Sequence, residues 1–435
     1  MNARVDVGEV NSRRLETPGR DEWKKSVRRD AANRYFIVTA DSHANEPLDV
    51  YQQGGIDPKY ASRIPHMRRD DDGREWLIIE GWKPQLVKGR RKDDDYFDAW
   101  EAEDLASVGQ SWSERMEPDD LERMRASTGT NCDKPGLVRM HADMDRDGVD
   151  AAVVFPGRGL LAFATNDALF SDAMTRACNT WAWSVYKDHL PRFKPMAMIQ
   201  TTGLDLAIAE VERCAALGFP GFNIPAIPWG DEGARYNDPR YDRLWAALEA
   251  TGKPVCIHVA TGKDPRGASG NGGAILNFVI GAGSQVVEPM ATLLASGVFE
   301  RFPKLRIGTI EGGIGWLPWL LEAMDDIFYK HHMWVRPQLK RPPSDYWRTN
   351  SFATFQEDHA GLHMMQRLGL IGNVVWGSDY PHMEGSWPHS AEALERQLGE
   401  LSEDDREKVL GLNACRLFGF DPSRSLIQAQ QEPDA

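Results

Sequence analysis

The stretch FIVTADSHANE, residues 36–46, decides how the chain is read. Its apolar, β-branched opening reads as a buried strand. Side chains alternate along a strand, so Asp41 and His43 project to the same side. An acid and a histidine sharing one side of a strand's C-terminal end is what a metal site in a barrel mouth requires. Taken alone, the same residues also read as a capped strand end, with Asp41 and Ser42 hydrogen-bonding a turn. The rest of the chain has to decide between the two.

Working outward, strand-like runs recur at 151–155, 195–200, 221–225, 254–258, 304–311, 351–356 and 373–379. Helical patterns separate them. LDLAIAEVERCAALG closes on Gly218 and YDRLWAALEATG stops at Gly252, both in the manner of glycine C-caps. With 36–40 the count is eight strands. Strands and helices alternating in this way imply a parallel sheet, and eight units imply an α/β fold of the (β/α)8 TIM-barrel type. An open doubly wound sheet is the alternative, but no strand runs into a Gly-rich dinucleotide fingerprint. Residues 1–33 read as a polar N-terminal arm and 34–425 as the barrel, with 426–435 as a tail. The segment 48–135 is an insertion after the first strand, too long for an idle loop, and reads as a cap. Within it EWLIIEGWKPQLV suggests a small hairpin around Glu80-Gly81.

The chain has 435 residues, 41% of them hydrophobic, enough for a large core. A formal net charge of −14 argues against a nucleic-acid partner, because phosphate binding needs a basic face. Cys132, Cys178, Cys214, Cys256 and Cys415 form no CxxC pair and fit a reduced, cytoplasmic protein better than a disulfide framework. No apolar run approaches membrane-spanning length, and the first residues carry no signal-peptide core.

In a barrel of this type reactive groups gather where strands end. The first strand ends in Asp41, Ser42 and His43, the fifth in His258, the sixth in Glu311 and the eighth in Asp379. Each has a bland reading: His258 as a core histidine, Glu311 as a cap for the helix starting near Gly315, Asp379 as a cap for the segment after it. Four separate strand ends delivering metal-competent groups to one rim favour a shared site.

Further motifs carry a resemblance. DSHANEP at the first strand, IH at the fifth, VFERFPKLRIGTIEGGIGWLPWLLEAMDD, WGSDYPHMEGSWP, DMDRDGVDAAVVFP and GLNACRLFG together resemble the amidohydrolase-related metal-dependent family, over about residues 35–420. That family includes aromatic-acid decarboxylases, lactonases and C–C or C–N hydrolases. The resemblance implies Asp41 and His43 as the first-strand ligands, where family members usually carry His-x-His or Glu-x-His. It implies His258 as the fifth-strand ligand and Asp379 as an aspartate that binds metal and moves protons. Many members have a histidine after the sixth strand, and this chain has Glu311. Binuclear relatives use a modified lysine at the fourth strand, and here that strand ends Asn223-Ile224-Pro225.

These departures shape the expected chemistry. The metal set Asp41, His43, Glu46, His258, Glu311 and Asp379 holds four carboxylates and two imidazoles. Oxygen-rich sites suit iron or manganese better than zinc, and four negative charges at one rim call for two divalent ions. His382, three residues after Asp379, joins Asp379 as the candidate catalytic pair. The leading expectation is a hydrolase that acts on a small apolar or aromatic substrate through a metal-activated water. A non-heme di-iron monooxygenase on the same barrel is the alternative, and non-oxidative decarboxylation a further one. Trp82, Tyr96, Phe97 and Trp100 in the insertion suggest an apolar pocket. The resemblance implies a homodimer.

Overall fold

The computed structural model describes residues 19–426 apart from 45, 48, 81–83, 89–135, 229–234, 262–275, 277–278, 280–282, 332–338, 383–384 and 424–425. Much of the expected insertion, and Trp82, Tyr96, Phe97, Trp100 and Cys132 with it, lies outside the described residues.

Eight parallel strands follow one another round a barrel in chain order. They are Val38–Thr39, Ala151–Val154, Phe193–Met198, Gly221–Ile224, Val255–His258, Ile307–Ile310, Ser351–Phe355 and Val374–Trp376. The eighth returns to the first through bonds from Ala40 N–H to Trp376 O (2.9 Å), Asp379 N–H to Asp41 O (3.0 Å) and His43 N–H to Tyr380 O (2.7 Å). The closure therefore lies beyond the short strands, in the segments that carry Asp41 and Asp379. All eight expected strands form, as the expected TIM-type barrel. Their ends differ from the expected runs by up to three residues, and the fifth keeps His258 as its last residue.

Strand alternation divides the apolar residues into two layers. Val38, Ala151, Val153, Met196, Cys256, Ile310, Phe352 and Val375 fill the barrel interior, together with Phe418 from the last helix. Ile37, Ala152, Val154, Phe222, Ile257 and Ala353 face outward into the larger core beneath the helices. Gly218 (φ 103°) and Gly252 (φ 65°) end the helices Leu204–Leu217 and Asp242–Thr251 in the left-handed region, as the sequence predicts. Asn413 Nδ2 donates to the carbonyls of Ile371 and Val374, both at 2.8 Å, and so ties the last helix to the eighth strand.

Two stretches differ from the sequence reading. The described end of the N-terminal arm is docked rather than peripheral: Trp23 and Val27 are buried, and Arg28 pairs with Glu392 at 2.6 Å and with Glu395. The segment is turns and a single bridge between Ser26 and Arg34, so its two buried apolar residues carry no helical or strand period for a sequence reading to find. The expected hairpin belongs to a three-stranded antiparallel sheet, His66–Arg69, Glu75–Ile78 and Gln85–Lys88.

Cys178, Cys214 and Cys256 are buried free thiols, and Cys415 is partly buried. Among the described residues no helix is long and apolar enough to cross a membrane.

Candidate metal centre

Asp41 is fully buried and held by its neighbours. Thr39 Oγ1 donates to the Asp41 carbonyl at 2.7 Å and accepts the Ser378 N–H at 2.8 Å, which locks the first strand to the eighth. Gly377 lies against Asp41: a Cβ added there would stand 2.6 Å from Asp41 Cβ. A glycine is therefore needed for the two strand ends to approach.

His43 Nδ1 lies 3.2 Å from the Pro156 carbonyl, and His258 Nδ1 lies 2.8 Å from the Val259 carbonyl. A proton on each Nδ1 satisfies these carbonyls and leaves each Nε2 with a free lone pair. The Nε2 atoms point at carboxylates: His43 Nε2 is 3.4 Å from Asp379 Oδ1 and 3.8 Å from Asp41 Oδ1, and His258 Nε2 is 3.4 Å from Asp41 Oδ1. Glu311 Oε2 lies 3.4 Å from His258 Nδ1. Donor atoms of Asp41, His43 and His258 lie within 4.8 Å of one another, as do those of Asp41, Glu311 and Asp379, and those of His43, Asp379 and His382.

Five of the six expected ligands are thus gathered at one place. Glu46 is not. Its buried carboxylate accepts the N–H groups of Gly157 (3.0 Å), Arg158 (2.8 Å) and Gly159 (3.2 Å), the start of the loop after the second strand. Gly157 N–H reaches both oxygens, so four contacts occupy the carboxylate, and the expectation of Glu46 as a ligand is corrected to an anchor for that loop. Its proximity to His43 in sequence misled, because the chain turns away from the strand direction at Ala44.

Nor does Glu311 cap the next helix. Asp358 does so instead, accepting from Ile314 N–H at 2.8 Å and Gly315 N–H at 2.6 Å. Glu311 is held through its own N–H, which donates to Thr354 Oγ1 at 2.9 Å. Glu311 (φ 65°) and Asp379 (φ 56°) both occupy the left-handed region, which is costly for residues with a Cβ. Two candidate ligands on strained backbone mark a site whose geometry the surrounding fold imposes.

The electrostatics fit a bound cation. Burial and then the charge of Asp379 push Asp41 up to about 8, and the same two causes push Glu311 up to about 8. Burial would also raise Asp379, but His382 and His43 outweigh it and hold that carboxyl below its ordinary range. Burial, with His382 next, holds His43 below its ordinary value. Asp41 Oδ2, Asp379 Oδ2 and His43 Nε2 are buried without a hydrogen-bond partner among the described residues. Acceptors facing one another with no donor between them are poor company for each other and good company for a divalent ion. Asp41, His43, His258, Glu311 and Asp379 fit such an ion.

His382 Nδ1 stands 2.8 Å from Asp379 Oδ1, its side chain 35% exposed, and its ring stacks on His43 with centroids 4.3 Å apart. It thus links a fully buried carboxylate to solvent. Trp376 and Trp387 are core: Trp376 is fully buried, and Trp387 Nε1 donates to the Asp143 carbonyl at 3.3 Å. One inward residue was passed over. Asn223 pairs in register with Cys256 and so faces the barrel interior, where its carboxamide is buried with no hydrogen bond among the described residues. The signal was available: an amide inside an otherwise apolar strand.

The Amidohydrolase family profile matches residues 134–420, well over half of the chain. The chain belongs to the amidohydrolase family. It is an enzyme of that superfamily, and its likeness to known members spans most of its length. The 2-amino-3-carboxymuconate-6-semialdehyde decarboxylase of Dictyostelium discoideum is 25% identical over 307 residues, 68% of this chain and 80% of that protein. Among solved structures, the amidohydrolase map2389c of Mycobacterium avium subsp. paratuberculosis K-10 aligns with a TM-score of 0.66 at 23% identity, covering 90% of this chain and 99% of that one. The 5-carboxyvanillate decarboxylase LigW2 of Novosphingobium aromaticivorans DSM 12444, with bound manganese and 3-methoxy-4-hydroxy-5-nitrobenzoic acid, aligns at 0.57 and 18% identity, covering 92% of this chain and 100% of that one.

Proposed function

We propose that this amidohydrolase is a metal-dependent non-oxidative decarboxylase of a small aromatic or conjugated carboxylic acid. The observation that carries the reading is the pair His382–Asp379: a solvent-reaching imidazole 2.8 Å from a buried carboxylate that stands among the metal donors. The relatives support it, since the Dictyostelium discoideum protein at 25% identity is a decarboxylase. Hydrolysis, the leading expectation from the sequence, has no comparable support.

Decarboxylation replaces a carbon–carbon bond with a carbon–hydrogen bond. One proton must reach the carbon that bears the carboxylate, and carbon dioxide leaves when that bond breaks. In this reading His382 brings the proton in from solvent and Asp379, 2.8 Å away, relays it to that carbon. Asp41, His43, His258 and Glu311, with Asp379, would hold the cation. A divalent ion bound there would anchor the substrate carboxylate and supply Lewis acidity. Thr39, Ser378 and Thr354 keep the ligand strands in place, which limits the rearrangement needed at each turnover. Manganese or iron suits this oxygen-rich donor set better than zinc, and the manganese of the 5-carboxyvanillate decarboxylase structure is consistent with that choice.

A second reading, di-iron oxygenation, is favoured by one feature: Asp41, Glu311 and Asp379 place three carboxylates within 4.8 Å of one another. Such acid-rich sets are also used by carboxylate-bridged iron pairs.

One experiment separates the readings. The protein is reconstituted with Mn²⁺, Fe²⁺ or Zn²⁺ and given a panel of hydroxylated benzoates, conjugated acids, esters, lactones and amides in deuterated buffer, without oxygen and under ¹⁸O-labelled oxygen. Decarboxylation releases carbon dioxide and leaves one deuteron at the vacated carbon, with or without oxygen. Turnover of esters, lactones or amides with no carbon dioxide would restore the hydrolase. Oxygen consumption with its label in the product would establish the oxygenase.

A further inference from the structure

A second set of metal-competent side chains lies outside the barrel mouth. The helix His359–Arg367 follows the seventh barrel strand and presents His359 and His363 one turn apart. Their Nε2 atoms stand 3.2 Å from each other, with the rings nearly perpendicular at 85°. Glu400, from the turn that follows the helix Ser390–Gln397, places Oε2 at 3.3 Å from His363 Nε2. The three donor atoms lie within 4.8 Å of one another.

The 3.2 Å and 3.3 Å separations are ones that a single ion imposes. Imidazole nitrogens bind zinc at about 2.0–2.1 Å, and tetrahedral or octahedral angles then space two donors by roughly 2.9–3.4 Å. Histidines at i and i+4 of a helix form a recurrent pair of ligands for this reason. The site has the opposite donor balance to the barrel mouth, with two imidazoles to one carboxylate. It is also open to solvent, with the His363 side chain 35% and Glu400 70% exposed. Imidazole suits Zn²⁺, Ni²⁺ and Cu²⁺, whereas carboxylate-rich sets suit Mn²⁺.

We propose that His359, His363 and Glu400 form a peripheral binding site for a divalent ion of the zinc, nickel or copper class, with water completing its coordination. The ion ties the helix after the seventh strand to the turn that leads into the C-terminal helices. Asp358, next to His359, caps the same helix through Gly361 N–H at 2.8 Å and also receives Ile314 and Gly315 N–H. The staple therefore fastens the helix end on which the turn after Glu311 rests. This inference is independent of the reaction at the barrel mouth.

The test is a Zn²⁺ titration of the metal-loaded protein by calorimetry, beside a His359→Gln/His363→Gln double variant loaded in the same way. The wild type is expected to take up one more equivalent than the variant, and only the wild type gains thermal stability from added Zn²⁺. Glu400→Ala changes an exposed residue, so it leaves the fold intact, and it is expected to weaken the extra binding event. Equal stoichiometry and affinity in wild type and Glu400→Ala, or in wild type and a folded double variant, would overturn the proposal.

Discussion

Glu311 Oε2 lies 3.4 Å from His258 Nδ1, so a side chain from the sixth barrel strand meets one from the fifth. A carboxylate oxygen of Glu311 also lies within 4.8 Å of those of Asp41 and Asp379, which sets it among the candidate donors and away from the helix it was also read to cap. Glu311→Gln keeps the size and one acceptor but removes the charge. Metal content of the purified protein is expected to fall, and carbon dioxide release from a good substrate to fall by about two orders of magnitude or more. Full metal occupancy in the variant would show that Glu311 is no ligand.

Gly377 offers a test through packing instead of charge. Its Cα stands where a Cβ would press on Asp41. Gly377→Ala is expected to displace Asp41, lowering metal affinity with little change in circular dichroism, at a cost of about 1–3 kcal/mol. Isothermal titration with Mn²⁺ reads the affinity directly. An unaltered dissociation constant would mean that the first strand yields without consequence for its ligands.

Glu46 is expected to behave as an anchor. Glu46→Ala leaves the N–H groups of Gly157, Arg158 and Gly159 without their acceptor. A loss of about 2–4 kcal/mol follows from unsatisfied buried donors. Metal content should hold in the protein that remains folded. Atomic absorption paired with a urea melt distinguishes this from the ligand role first expected.

Asp147 gives the chain a pH signature away from the barrel mouth. Its buried carboxyl accepts from Ser390 N–H at 3.0 Å, and burial pushes it up to about 7 despite the bonds from Ser390. The folded state therefore keeps this proton to a higher pH than the unfolded chain, whose value is near 4. Between about pH 4 and 7 the native state binds more protons, so stability falls as pH rises, and it levels above 7. The effect is on the order of a few kcal/mol. Asp147→Asn should flatten that slope in denaturant melts from pH 5 to 8. A wild-type slope retained in the variant would assign the dependence to other groups.

His382 is expected to govern proton supply. His382→Gln should lower turnover by about ten- to ten-thousand-fold, with a smaller effect on substrate affinity. Small imidazole bases added to the buffer should restore part of the rate, because the side chain reaches solvent. Rescue by imidazole separates a proton-carrying role from a merely packed one.

The barrel was readable because its signals are local. Apolar runs such as Ala151–Val154 alternate inward and outward, and Gly218 and Gly252 stop their helices where the repeat demands. The candidate metal donors were readable for a related reason. A group at the end of a parallel strand has one rim to go to, so Asp41, His258, Glu311 and Asp379 could be assembled without knowing a single contact. Glu46 escaped that logic because it lies beyond the strand, where direction depends on loops. Asp358 was equally hidden: its partners Ile314 and Gly315 belong to another barrel unit, and no local spacing links them. Asn223 could have been found, since its carboxamide is out of place on an inward face otherwise held by Cys256 and Met196.

The positive φ of Glu311 and Asp379 has a consequence for anyone evolving this enzyme toward heat tolerance. Glycine relieves the backbone at both positions, and asparagine tolerates it better than most residues. A selection that rewards melting temperature alone will therefore enrich glycine at 311 and 379, and every such winner will have discarded a candidate metal donor. Stability screens on this barrel need activity as a second filter from the first round.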